Sequence, residues 1–233
     1  MKPHTKETQA SLTPEMAFQI LKAGNERFTN NLKINRNLLQ QLNQTSKEQY
    51  PFAVVLSCID SRTSAELIFD QGFGDLFSIR IAGNIVNEDI LGSMEFACKI
   101  AGAKIVVVLG HSGCGAIKGA CDDIKLGNLT TLIGKLKPAM ARVREPTTNR
   151  NSMNLEFVEK VAAANVCLTI ANIKHRSEIL REMQDNNEIA IVGGMYEIQT
   201  GSIEFFIKNN FYQSDERLSL DVGRFNSEGR IFS

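Results

Sequence analysis

Cys58, Asp60 and Arg62 occupy alternate positions in Ser57-Cys58-Ile59-Asp60-Ser61-Arg62, directly after the apolar run Val54-Val55-Leu56. About fifty residues later, Ile105-Val106-Val107-Val108-Leu109 runs into Gly110-His111-Ser112-Gly113-Cys114-Gly115. If two strands end side by side there, two thiols, one imidazole and one carboxylate come within reach of a single metal ion. Zinc takes ligands of all three kinds and prefers four in a tetrahedron. His111 and Cys114, three residues apart, can chelate from one loop entering a helix, and Cys58 adds a second sulfur from the neighbouring strand. Calcium and magnesium prefer oxygen donors, and the nitrogen donor argues against a four-thiolate iron site.

The fourth ligand position decides what such a centre does. Filled by Asp60, the ion is saturated; open to water, it is a Lewis acid that generates hydroxide near neutral pH. Arg62 supplies a reason for Asp60 to stay off the metal. Two residues apart at a strand end, the side chains can point the same way, and a guanidinium matches a carboxylate in two-point fashion. Held so, Asp60 can accept a hydrogen bond from the attacking water. A closed structural zinc site is the plainer alternative.

The elements that must position these groups are legible in outline. Thr13-Pro14-Glu15 opens a helix with Phe18, Leu21 and Phe28 on one stripe, and Leu38, Leu39 and Leu42 mark a short second one. A stripe so far ahead of the first strand either packs on a partner subunit or caps its own domain. Strands are expected at 52–58, 76–81, 105–109 and 189–192, the last ended by Gly193-Gly194, and an edge strand at 196–198. Helices are expected at 63–70, from Asn87 through Ala101, at 115–122, over Leu129 to Leu136, from Leu155 past Val166, around Ile179 to Met183, and at 202–208. Such alternation predicts an α/β fold with a mostly parallel sheet flanked by helices and an N-terminal helical arm. In such sheets ligands gather at the C-terminal ends of strands, where both reactive clusters fall. The chain reads as one domain, with an arm over 1–50, a core over 51–208 and a tail over 209–233.

Composition narrows the function. With 233 residues and 43% apolar side chains, the chain can bury a sizeable core. Twenty-six basic and 26 acidic residues cancel, so no long-range field draws it toward nucleic acid or an acidic membrane, and neither is expected as a partner. The N-terminus lacks the apolar core of a secretory signal, and no stretch reaches the ~20 apolar residues of a membrane span. Five cysteines, an odd number, suggest free thiols in a reducing compartment and hence the cytoplasm. Cys98, Cys121 and Cys167 fall in helical segments and read as core. His4 reads as part of a loose tail, and His175 as a solvated residue near a helix start.

Together with Gly72-Phe73-Gly74-Asp75-Leu76-Phe77-Ser78-Ile79-Arg80, Ala82-Gly83-Asn84 and Gly193-Gly194-Met195-Tyr196, the two clusters closely resemble β-class carbonic anhydrase, from about Leu12 to Phe206. The resemblance implies one zinc per subunit on Cys58, His111 and Cys114, with Asp60 and Arg62 as a catalytic dyad. Asp60 would be a metal ligand only in an inactive closed state. It implies reversible hydration of carbon dioxide to bicarbonate, and a homodimer, with assembly into a tetramer left open, in which the arm lies across the partner. Gln49 matches a glutamine that donates to bound bicarbonate in plant-type enzymes. Phe77 matches an aromatic lining the pocket, and Gly83 and Asn84 fall on a turn near the site. Three positions depart or discriminate. Ile81 follows Arg80 where the family often has Asn, Phe96 replaces a tyrosine, and Val55 stands where the bicarbonate-regulated bacterial subtype has a tryptophan. The last places the chain nearer the plant-type, open-site subgroup. Hydrolysis of carbon disulfide or carbonyl sulfide on the same scaffold, and a non-catalytic zinc-stabilised anion-binding module, are the rival readings.

Overall fold

A computed structural model describes residues 3–206. In chain order the elements are α1 (Lys6–Ala10), α2 (Pro14–Thr29), α3 (Leu38–Gln44), β1 (Ala53–Ser57), α4 (Ala65–Ile68), β2 (Leu76–Arg80), α5 (Glu88–Glu95), β3 (Ile105–His111), α6 (Gly115–Cys121), α7 (Gly127–Gly134), α8 (Lys137–Arg142), α9 (Leu155–Arg176), α10 (Glu178–Asp185), β4 (Ala190–Tyr196) and β5 (Ile203–Phe206). The five strands form one sheet in the order β2-β1-β3-β4-β5, parallel except for β5. Every residue of the inner strands β1 and β3 is buried, as expected of uninterrupted apolar runs covered on both faces.

One face is covered by α2 and α4, where Phe18, Leu21 and Phe69 meet Phe205. On the other, Leu91, Met94, Val166 and Leu180 of α5, α9 and α10 close over Val54, Leu56, Val106 and Val108. A third cluster, at the sheet's C-terminal end, packs Ile117, Leu136 and Phe157 around Cys58 and Cys114. Side-chain oxygens of Thr13, Asn87, Asn154 and Ser177 cap α2, α5, α9 and α10, satisfying amides that the first turn leaves without partners.

Several expectations are corrected. The α2 stripe packs on its own sheet, because the connection through α3 is long enough to bring it back over β1. The α3 leucines remain 49%, 69% and 51% exposed, and Met16 and Leu32 are likewise 47% and 69% exposed, so these parts of the arm lack a cover within the chain. β4 does not stop at Gly193-Gly194 but runs through to Tyr196. A Cβ on Gly193 would lie 2.7 Å from Val166 and 2.8 Å from Ile170, so the missing side chain admits α9 against the strand. The segment expected as a helix is the antiparallel strand β5, with Ile203 and Phe205 packed on one face of the sheet and Phe206 on the other. Residues 207–233, including the end of that expected helix and the tail, lie outside the described residues.

The helix from Asn87 is α-helical only to Glu95 and ends in a π-helical turn over Phe96–Ile100. The stretch Leu129–Leu136 divides between α7 and α8. His175 is exposed in the last turn of α9, two residues before Ser177 caps α10, as expected of a solvated residue near a helix start. His4 packs edge-on against Phe52, ring centres 5.4 Å apart, and Gln9 of α1 donates to the Pro51 and Ala101 carbonyls, so this segment is docked rather than loose. Among the described residues, no helix is long and apolar enough to cross a membrane.

Candidate metal centre

Ser57 pairs in register with Leu109, so β1 delivers Cys58 beside the end of β3, which carries His111 as its last residue. Gly113 then adopts φ +64°, a left-handed conformation that costs glycine little, and turns the chain so that Cys114 caps α6. The three side chains converge. Their sulfur and nitrogen atoms all lie within 4.8 Å of one another, and each residue is buried. Cys58 and Cys114 sulfurs are 4.0 Å apart.

This set fits a metal ion. The Nδ1 atom of His111 lies 3.0 Å from the Ser112 carbonyl, which fixes the ring, while Nε2 is buried with no hydrogen-bond partner. A buried polar atom without a partner is costly, and a metal ligand removes that cost. The thiols make the same point. The hydrogen bond from Cys114 lowers the Cys58 pKa, with His111 and the Gly83 amide adding to it against the effect of burial. The neighbouring Cys58 sulfur, together with burial, pushes Cys114 up instead. Two thiolates this close repel each other, and a divalent cation between them relieves the repulsion. Burial alone would lower His111, but Cys58, the Ser112 carbonyl and Asp60 outweigh it and its pKa rises.

Asp60 and Arg62 pair as their spacing predicts. Arg62 donates from Nε to Oδ1 at 2.9 Å and from Nη2 to Oδ2 at 2.8 Å, and its own amide reaches Oδ1 at 3.0 Å. The Arg62 hydrogen bonds hold the Asp60 carboxyl well below the usual carboxylate range. The carboxylate is thus committed to Arg62 and is no part of the Cys-His-Cys cluster. Beneath the pair, Arg80 donates to the Cys58 and Asp60 carbonyls at 3.1 and 2.6 Å, and the Thr63 hydroxyl bonds the same two at 3.0 and 2.8 Å.

The remaining expected site residues divide. The Gly83 amide donates to the Cys58 sulfur at 3.4 Å, so that turn touches the cluster. Asn84 is buried behind it, its carbonyl taking a hydrogen bond from Thr169 of α9. Phe77 pairs in register with Val54, three residues short of the strand end, and its ring faces Phe96 at 6.3 Å in a shallow groove beside the sheet edge. Gln49 is exposed and precedes β1, whose far end carries Cys58. Five strand residues span roughly 16 Å, so one subunit does not bring Gln49 to its own cluster.

Sequence reasoning did not find the two clamps on the 58–60 loop, or two carboxylates behind the second loop. Glu159 of α9 accepts from the Gly113 amide at 2.7 Å, and Glu197 accepts from the Ser112 hydroxyl at 2.9 Å. Thr63 carried a weak signal, since hydroxyls often bond nearby carbonyls. The glutamates, 46 and 85 residues from their partners, carried none.

An α/β sheet with a single buried Cys-His-Cys cluster at its C-terminal edge, among the described residues, defines an enzyme scaffold able to hold a metal ion. The carbonic anhydrase family model matches residues 53–203. A carbonic anhydrase from Mycolicibacterium smegmatis is 32% identical over 192 residues, covering 82% of this chain and 92% of its own. Carbonic anhydrase 2 from Mycobacterium tuberculosis is 34% identical over 189 residues, covering 81% and 90%. Among solved structures, the β-carbonic anhydrase CafA of Aspergillus fumigatus has TM-score 0.66 at 23% identity, covering 86% of this chain and 94% of its own, and so supports the fold. The chain belongs to the β-class carbonic anhydrase family.

Proposed function

We propose that the chain catalyses CO2 + H2O ⇌ HCO3− + H+ at a zinc ion held by Cys58, His111 and Cys114, one per subunit. The observation that carries this is the convergence of two sulfurs and an unpartnered, buried Nε2 within 4.8 Å. Bound zinc supplies Lewis acidity that brings the pKa of water toward neutrality. The residues of the chain do the rest. Asp60, fixed by Arg62, accepts a hydrogen bond from the reacting water and aims its lone pair, which is catalysis by orientation. Gly83 donates to the Cys58 sulfur and steadies that ligand. Arg80 and Thr63 hold the loop that carries both Cys58 and Asp60.

Proton departure has no imidazole relay in this reading. His4 packs on Phe52 ahead of β1, and His175 lies ten residues along α9 from Asn165, whose amide donates to the Gly83 carbonyl at 2.8 Å, so roughly 15 Å of helix separates it from that turn. Buffer therefore takes the proton directly, and the maximal rate rises with buffer concentration.

Gln49 and Phe77 act across a dimer interface, each site taking them from the other copy, with Gln49 donating to bicarbonate. The exposed α3 leucines, Phe73 and Phe96, 49% to 69% exposed, support a partner covering this side. Sedimentation of the purified protein tests the dimer. The commitment of Asp60 to Arg62 and the presence of Val55 support the plant-type, open-site subgroup. Five free thiols support a reducing, cytoplasmic setting.

Metal analysis with stopped-flow hydration tests the whole reading: one zinc per chain with hydration activity is expected. A full zinc complement without activity at any pH would favour the non-catalytic module. Faster release of sulfide from carbon disulfide or carbonyl sulfide than hydration of carbon dioxide would favour the other rival.

A further inference from the structure

The loop Ser112-Gly113 carries His111 on one side and Cys114 on the other, so its position sets the separation of two of the three donors. Glu159 reaches this loop from the second turn of α9, its carboxylate largely out of water and one oxygen 2.7 Å from the Gly113 amide. Glu197 bonds the Ser112 hydroxyl, and that hydroxyl in turn accepts the Ile198 amide at 3.0 Å. The Ser112 amide donates to the Tyr196 carbonyl at 2.9 Å. Ser112 is therefore tied by three bonds to the last residue of β4 and the two residues after it, two of them through its hydroxyl, whereas the Gly113 amide has Glu159. Gly113 has nothing within 4 Å of the place a Cβ would take, so packing does not hold it.

We infer that Glu159 is a positioning residue for the metal centre, holding the Gly113 amide so that His111 and Cys114 meet the ion without rearrangement. The inference rests on the metal-centre reading above. The acceptor oxygen matters and the negative charge does not, because a glutamine oxygen can accept the same amide. Glu159 and Glu197 also repel each other, and burial pushes the Glu159 carboxyl up, so an uncharged acceptor fits the place.

Zinc release from the full-length holoenzyme to a chromophoric chelator tests this, with the visible spectrum of the cobalt-substituted protein reporting ligand geometry. Groups that support metal ligands from behind typically alter affinity by about 10–100-fold. E159A should release zinc faster by about that range and shift the cobalt bands, while E159Q restores both to the parental values. E159M fills the same space without accepting a hydrogen bond and should behave as E159A does, which replaces that variant if it fails to fold. Parental release rates in E159A or E159M, or release from E159Q as fast as from E159A, would overturn the inference. A second measurement needs no variant. The Gly113 amide should be protected from hydrogen exchange in the metal-free parent, and unprotected exchange there overturns the inference too. A parent that binds no zinc would instead refute the metal-centre reading.

Discussion

Two aspartates ten positions apart are each clamped by arginine, and the clamps work differently. Asp60 meets Arg62, its neighbour but one, on a loop where the arginine side chain is 56% exposed. Asp70 is 3% exposed and takes Arg27 from α2 and Arg36 from the segment before α3, both at 2.5 Å, together with the Ile34 amide. Arg36 also donates to the Asp70 carbonyl. The first pair is local and wet, so it fixes a direction at little gain in stability. The second is assembled from distant segments and is drier, with Arg36 5% and Arg27 27% exposed, so it fastens the N-terminal helices to the core, and removing Asp70 leaves Arg36 charged and buried. On the proposed function, the same two side-chain types thus orient a reacting group in one place and join segments in the other.

The sharpest way to break this contrast is D70A. We expect a loss of about 3–5 kcal/mol in unfolding free energy, measured by urea denaturation, with the folded fraction still carrying its full zinc. Zinc loss without destabilisation would mean that the Asp70 cluster serves the metal centre. R62A should do the opposite. Hydration should fall on the order of 10²-fold in stopped-flow assays, because Asp60 loses its orientation, while the melting temperature stays at the parental value. A large drop in melting temperature would put the two clamps in one class.

pH separates them further. Burial alone would raise Asp70, but Arg27, Arg36 and the Ile34 amide outweigh it and hold its carboxyl below the usual carboxylate value. A carboxyl lowered in the folded state contributes stability that is fully present above its unfolded pKa of about 3.9 and is lost as pH falls through the folded value. Stability should therefore decline below about pH 4, and D70N, besides being less stable, should show a shallower decline. An unchanged slope in D70N would assign the acid sensitivity to other groups.

Legibility in the sequence followed the range of the interaction. Val54 to Leu56 and Ile105 to Leu109 announced inner strands by unbroken apolar runs, and Thr13 and Asn87 announced helix starts by chemistry within three residues. The Asp60–Arg62 pair was legible for the same reason. His111 and Cys114 were readable with Cys58 because both clusters sit at strand ends, which a parallel sheet brings to one edge. Gly193-Gly194 misled because a glycine pair that ends a strand and one that admits a packed helix are the same two letters. Contacts made across the fold distinguish them, Val166 and Ile170 of α9 against Gly193, and Ile203 and Phe205 of β5 against Gly194. Ile203 to Phe206 lacked the length to separate strand from helix. The Asp70 cluster and Glu159 join segments 34 to 46 residues apart, and no local pattern encodes such a pairing.

The smallest effect should be the coupling between the two clamps. Asp60 precedes α4 in the chain, Asp70 follows it, and they share no hydrogen-bond partner in the described residues: the carboxylate of one is held by Arg62, that of the other by Arg27, Arg36 and Ile34. Separate sites without common partners lose stability independently, so D60N and D70N combined should add within about 0.5 kcal/mol of the sum of the single changes. A coupling well above 1 kcal/mol would show that α4, the single turn that joins them in the chain, passes strain from the fastening cluster to the loop carrying Asp60. In that case the catalytic rate of D70N should fall as well, and the division between an orienting clamp and a joining one would have to be given up.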